Sequence, residues 1–112
     1  MPACTINGIS IGEGFPVRLM GVINCSPESF FRDSYVRPEE AGKRALAMAA
    51  DGADLVDVGA RATGPGSLPL PAEVERERMV AALSALEGTG VRVSVDTRDP
   101  AVLEACLRYD IH

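Results

Sequence analysis

The sequence predicts an α/β fold built on parallel strands, and three observations predict it. Three apolar runs, 17–24, 53–58 and 91–96, are each followed by a loop and a helical pattern. Each run delivers a polar side chain at or near its C-terminal end: Asn24, Asp57 and Asp96. The strand-end residues Asn24, Val58 and Asp96 lie 34 and 38 positions apart. That spacing suits successive βα units, whose right-handed crossovers make the strands parallel. The strand ends then share one rim, where such folds place their chemistry. Pattern alone leaves barrel and open sheet both standing.

In chain order, residues 4–16 predict a hairpin. Thr5-Ile6 and Ile9-Ser10-Ile11 flank Asn7-Gly8, a strong two-residue turn signal. The hairpin is expected to cover an open end of the following sheet. The first core strand, 17–24, reads as buried and leads into a polar loop, 25–37, longer than most βα connections.

A helix is expected from 38 to 51. Pro38 suits its first position, Glu39 and Glu40 suit its positive end, and Gly52 suits a left-handed cap. Ala41, Ala45, Met48 and Ala49 form its apolar stripe. After the second strand, the loop runs to about Pro71 and a second helix covers 72–87. Met79, Val80, Leu83 and Leu86 are expected to face inward. The charged run Glu73, Glu75, Arg76, Glu77 and Arg78 reads as a solvated face. The third strand, 91–96, meets Asp99 as an N-cap and Pro100 as the first residue of a helix. That helix is expected to turn Val102, Leu103, Cys106 and Leu107 inward.

The 112 residues make one domain's worth of chain, with 46% hydrophobic and 24% charged residues. A net charge of −5 argues against nucleic-acid binding, which favours basic surfaces. No apolar run approaches the roughly 20 residues that span a bilayer. Met1-Pro2-Ala3-Cys4 carries no basic stretch before an apolar core, so no secretory signal is expected. Cys4, Cys25 and Cys106 are too few and too scattered for a disulfide framework or a paired-cysteine zinc site. They read as free thiols in a reducing cytoplasm. A Cys25 nucleophile lacks a partner, since the sole histidine is His112.

Two readings stand for each candidate residue. Asp96 is either a turn-satisfying carboxylate or a ligand-binding group for adjacent N–H donors or a metal. Asp57, inside its strand, needs a specific partner in either a structural or a binding role. Asn24 is either a turn acceptor or an oxygen ligand for a hard cation. Thr63 with Gly64-Pro65-Gly66 forms either a plain turn or an anion cradle.

Three motifs together carry a resemblance. Met20-Gly21-Val22-Ile23-Asn24-Cys25-Ser26-Pro27-Glu28-Ser29-Phe30, residues 52–66 from Gly-Ala-Asp to Gly-Pro-Gly, and Val93-Ser94-Val95-Asp96-Thr97 occur in order. The chain resembles the N-terminal part of the dihydropteroate synthase family of pterin-binding barrels. Its fold would then be α/β, the N-terminal part of a (β/α)8 barrel, with hairpin 1–16 and βα units over 17–112.

The resemblance implies condensation of a dihydropterin diphosphate with p-aminobenzoate in folate biosynthesis, with magnesium. By motif position, Asn24 would contact magnesium and diphosphate, and Asp96 would bind the pterin ring. Thr63 would lie near p-aminobenzoate and diphosphate. Phe30, in a closing loop, would lie near the aminobenzoate, and Asp57 joins the binding set. The family's Arg after the Thr is Gly64 here, while Arg61 stands where the family has Glu. Arg61 is therefore the candidate replacement.

A barrel takes about 250 residues, and the family's later Asp, Asn, Lys, Arg and His have no counterpart in these 112. Open strand edges imply a homo-oligomer or association with the remaining half of the barrel. Two other readings are a non-catalytic pterin-binding or interaction module, and the pterin domain of a corrinoid methyltransferase. The Ser-Pro-Glu-Ser-Phe loop favours the diphosphate-handling version over the latter.

Overall fold

The computed structural model describes residues 3–27, 35–61 and 70–112. Strands β1 (Cys4–Ile6) and β2 (Ile9–Ile11) pair antiparallel as a hairpin around Asn7 and Gly8, both at positive φ. Strands β3 (Met20–Asn24), β4 (Leu55–Gly59) and β5 (Val93–Asp96) form a second sheet in the order β3-β4-β5, parallel throughout. A 3-10 turn at Pro38–Glu40 leads into α1 (Ala41–Ala50). Helices α2 (Ala72–Leu86) and α3 (Pro100–Cys106) follow β4 and β5. This is the α/β architecture of the N-terminal part of a (β/α)8 barrel.

Side chains alternate across a strand, so the register sorts the sheet into two faces. One face carries Ile23, Val56, Val58 and Val93, all buried in a single core with Ala41, Ala45, Met79, Ala82, Leu83 and Leu86 from α1 and α2. Burying each of the larger aliphatic side chains contributes roughly 1.5–3 kcal/mol. The other face carries Met20, Val22, Asn24, Leu55, Asp57, Gly59, Ser94 and Asp96; only Leu55 is buried there, and among the described residues the helices pack on the first face. The first core strand is therefore buried on one side only: Met20 and Val22 are each 54% exposed, against the expectation of a buried strand.

The hairpin sits at the N-terminal end of the sheet. Arg92 Nε donates to Asn7 O at 2.8 Å, and Arg18 Nε donates to Ser10 O at 3.0 Å. Leu19 N donates to Asp54 Oδ2 at 2.9 Å beside the Arg18–Asp54 ion pair. The opposite, C-terminal rim stays clear of it.

Three side-chain placements correct the sequence reading. Glu75 is buried, not solvated. It belongs to the stripe Glu75, Met79, Ala82, Leu83 and Leu86, which repeats at helical spacing and faces the core. Leu103 and Leu107 are exposed, because α3 turns only its Val102 and Cys106 stripe into the core. Ala49 is exposed as well, and Gly42 takes the contact side of α1 in its place. A Cβ on Gly42 would collide with the backbone carbonyl of Ala85 in α2, so glycine sets how closely the two helices approach.

Candidate functional site

The C-terminal rim is built from one row of the sheet. Asn24, Gly59 and Asp96 are register partners across β3, β4 and β5, so all three project from the helix-free face at one level. Two strand spacings, roughly 10 Å, separate Asn24 from Asp96. Between them Gly59 offers no side chain. A Cβ there would stand 3.6 Å from Asp96 Cβ and Oδ2, in ordinary contact, so the glycine leaves a shelf one methyl deep beside the Asp96 carboxylate rather than relieving a clash.

Asn24 is fixed through both backbone and side chain. Its carbonyl accepts Val36 N at 2.7 Å, where the chain returns beside β3 at Tyr35. Its Oδ1 accepts Ser26 N at 3.0 Å, an Asx turn that ends the strand. Cys25 N continues the ladder to Gly59 O at 2.8 Å. Of the two sequence readings, the turn role of Asn24 is thus realised, and the Asx turn also pins the amide at the rim.

One row below, Ser94 donates its hydroxyl to Asp57 Oδ1 at 2.7 Å. The partner that Asp57 requires is therefore its register neighbour on β5. Asp96 is exposed at the rim, one residue before the turn into α3. In that turn, Asp99 Oδ1 accepts from Ala101 N at 2.9 Å and Val102 N at 3.4 Å, the N-cap expected from sequence. Arg61 is half-buried two residues beyond Gly59. Thr63 and Phe30 lie outside the described residues, as do Gly64-Pro65-Gly66 and most of the first loop.

Cys25 lies under the helices at zero exposure. Burial pushes its thiol up to about 11, against a smaller lowering by the Arg78 guanidinium. It is a neutral thiol near pH 7 and no nucleophile. Among the described residues, no three His, Cys, Asp or Glu side chains group to hold a metal ion. The rim supplies one neutral amide oxygen at Asn24. Such a donor suits a magnesium ion that arrives with phosphates and keeps several waters.

Sequence reasoning missed the shelf at Gly59, the Ser94 hydroxyl and the burial of Ser26 and Glu75. The last was open to detection, since Glu75 sits four residues before Met79 on the apolar stripe.

A row of strand-end polar groups on a parallel sheet is shared by many folds, and comparison with known proteins decides among them. The family model described as "Pterin binding enzyme" matches residues 20–111. The chain belongs to the pterin-binding enzyme family. It is 38% identical over 94 residues to a dihydropteroate synthase of Mycobacterium leprae, covering 83% of this chain and 33% of that one. Two solved dihydropteroate synthases superpose on it. The Yersinia pestis enzyme in complex with a sulfonamide drug gives a TM-score of 0.83 at 29% identity, covering 99% of this chain and 41% of that one. The Burkholderia cenocepacia enzyme complexed with 7,8-dihydropteroate gives 0.71 at 33% identity, covering 92% and 33%. The chain spans about a third of the length of the curated relative. Within the family match fall all three strands of the rim and every residue of its central row.

Proposed function

We propose that this chain forms the pterin-side part of a dihydropteroate synthase, a transferase of folate biosynthesis joining a dihydropterin diphosphate to p-aminobenzoate. The observation that carries the reading is the row Asn24–Gly59–Asp96 at the C-terminal rim, inside the segment that matches the family. A flat heterocycle over Gly59 would meet no side chain of that residue and would lie against the Asp96 carboxylate. The Asp96 carboxylate would accept the paired N–H groups of the pterin ring, and charge-assisted hydrogen bonds of this kind are the strong ones.

Asn24, at the other end of the row, would meet the diphosphate and contribute one oxygen to magnesium. Bound magnesium would neutralise charge developing on the leaving diphosphate. Asp57, held by Ser94, would set polarity beneath the shelf. Thr63 and Phe30 are proposed to line the aminobenzoate side, with Arg61 supplying the guanidinium that Gly64 lacks. In the reaction the aminobenzoate nitrogen forms a bond to the pterin methylene carbon. The carbon–oxygen bond to diphosphate breaks, its electron pair leaves with the diphosphate, and the amine proton passes to water.

The outer edges of β3 and β5, which among the described residues carry only the Asn24–Tyr35 bridge and the bond from His112 N to Val93 O, are proposed to join the remaining half of the barrel, or a second copy. Intact mass of the protein as its cell makes it separates these: more than double 11.8 kDa supports the first. Three free thiols support a reducing compartment, and the proposal sets the protein in the cytoplasm.

The test is turnover by the protein as its cell makes it, with dihydropterin diphosphate, p-aminobenzoate and magnesium. Release of diphosphate coupled to dihydropteroate supports the reading. Pterin binding without turnover supports instead a non-catalytic pterin-binding module, a reading favoured by Gly64 at the family's Arg position.

A further inference from the structure

Glu75 is the single charged side chain buried to 2% exposure among the described residues. A carboxylate out of water needs strong partners to be tolerated. It has one in Thr97, whose Oγ1 donates to Glu75 Oε2 at 2.7 Å. Thr97 directly follows Asp96. The same Thr97 oxygen accepts Asp99 N at 3.2 Å, and Asp99 in turn caps α3. The turn after Asp96 is thus anchored to α2 on one side and to α3 on the other. A β-branched threonine tied at its hydroxyl has one χ1 state, which restrains the backbone that carries its neighbour.

We infer that Glu75 is a positioning residue for Asp96, acting through the Thr97 hydroxyl. The inference rests on the proposed pterin-binding role of Asp96. An exposed carboxylate at a strand end gains from such support. Asp96 is the last residue of β5, and its aim follows the turn after it. The tether spans 22 residues of sequence and ties the β5 rim to a helix in the preceding βα unit.

The experiment titrates the protein, as its cell makes it, with hydroxymethylpterin by calorimetry and records melting temperature alongside. The double variant Glu75→Leu with Thr97→Val removes both ends of the tether and leaves no orphaned charge. It also gives up the 3.2 Å bond from Asp99 N, a loss shared by Thr97→Val with Glu75 retained and absent from Glu75→Leu with Thr97 retained, which controls for it. The double variant is expected to melt near the wild type and to bind the pterin at least fivefold more weakly. Thr97→Ser, which keeps the hydroxyl, is expected to bind as the wild type does. Should the double variant not fold, Thr97→Ala at its half-buried site is read on the same terms. A folded variant lacking the tether that binds with wild-type affinity overturns the positioning role. Asp96→Asn separates the two ideas. If it loses affinity while the tether variants keep theirs, only the positioning inference fails; if it keeps affinity, the pterin reading of Asp96 fails and takes the inference with it.

Discussion

Ser94 and Asp57 face each other across β4 and β5, joined by a 2.7 Å hydrogen bond one row beneath Gly59 and Asp96. Neither side chain is fully exposed, so the bond is partly shielded from water. Ser94→Ala removes the donor and leaves the Asp57 carboxylate to be satisfied by solvent alone. The expected cost is about 1–2 kcal/mol in a urea unfolding experiment. Asp57→Asn retains an acceptor for the hydroxyl and should cost less.

Gly42 marks the tightest approach between α1 and α2. Gly42→Ala would ordinarily favour a helix by up to about 1 kcal/mol. Here the added methyl meets the carbonyl of Ala85, a backbone group that cannot rotate away. The helices must move apart, and overpacking of this kind costs roughly 1–3 kcal/mol. Net destabilisation is expected by thermal melting.

The three thiols divide by burial. Cys4 is exposed, while Cys25 and Cys106 are buried in the core. A thiol reagent at pH 8 should modify Cys4 rapidly and the other two only on unfolding. Burial raises Cys25 from 9.0 to about 11 and also raises Cys106. In the unfolded chain these thiols ionise first, so the unfolded state sheds protons before the folded one. Stability from keeping them neutral is full below pH 9 and falls as the pH climbs towards 11. Cys25→Ala should flatten that decline in melting temperature over the same range.

Much of the fold was legible because its signals are local. Asn7-Gly8 marked the hairpin, Pro38 and Pro100 marked helix starts, and the valines of β5 marked a strand ending in Asp96. The parallel order followed from spacing and handedness. What the chain hid depends on neighbours distant in sequence. The burial of Glu75 was legible in its place four residues before Met79, but its acceptor role was not, since that is set by Thr97, 22 residues on. Leu103 and Leu107 looked like core because an apolar stripe does not say whether anything covers it. Gly59 carries no side chain to draw attention, and its importance emerges only from its register between Asn24 and Asp96.

The central claim is that the Asn24–Gly59–Asp96 row holds a pterin through Asp96. Its most direct test is calorimetric titration of hydroxymethylpterin into the wild type and Asp96→Asn. The substitution replaces one carboxylate oxygen with an amide donor at an exposed position, so the fold should be preserved. Loss of a charged hydrogen-bond acceptor predicts weakening by roughly 10- to 100-fold. Equal affinity in the two proteins would contradict the account and move the pterin away from this rim.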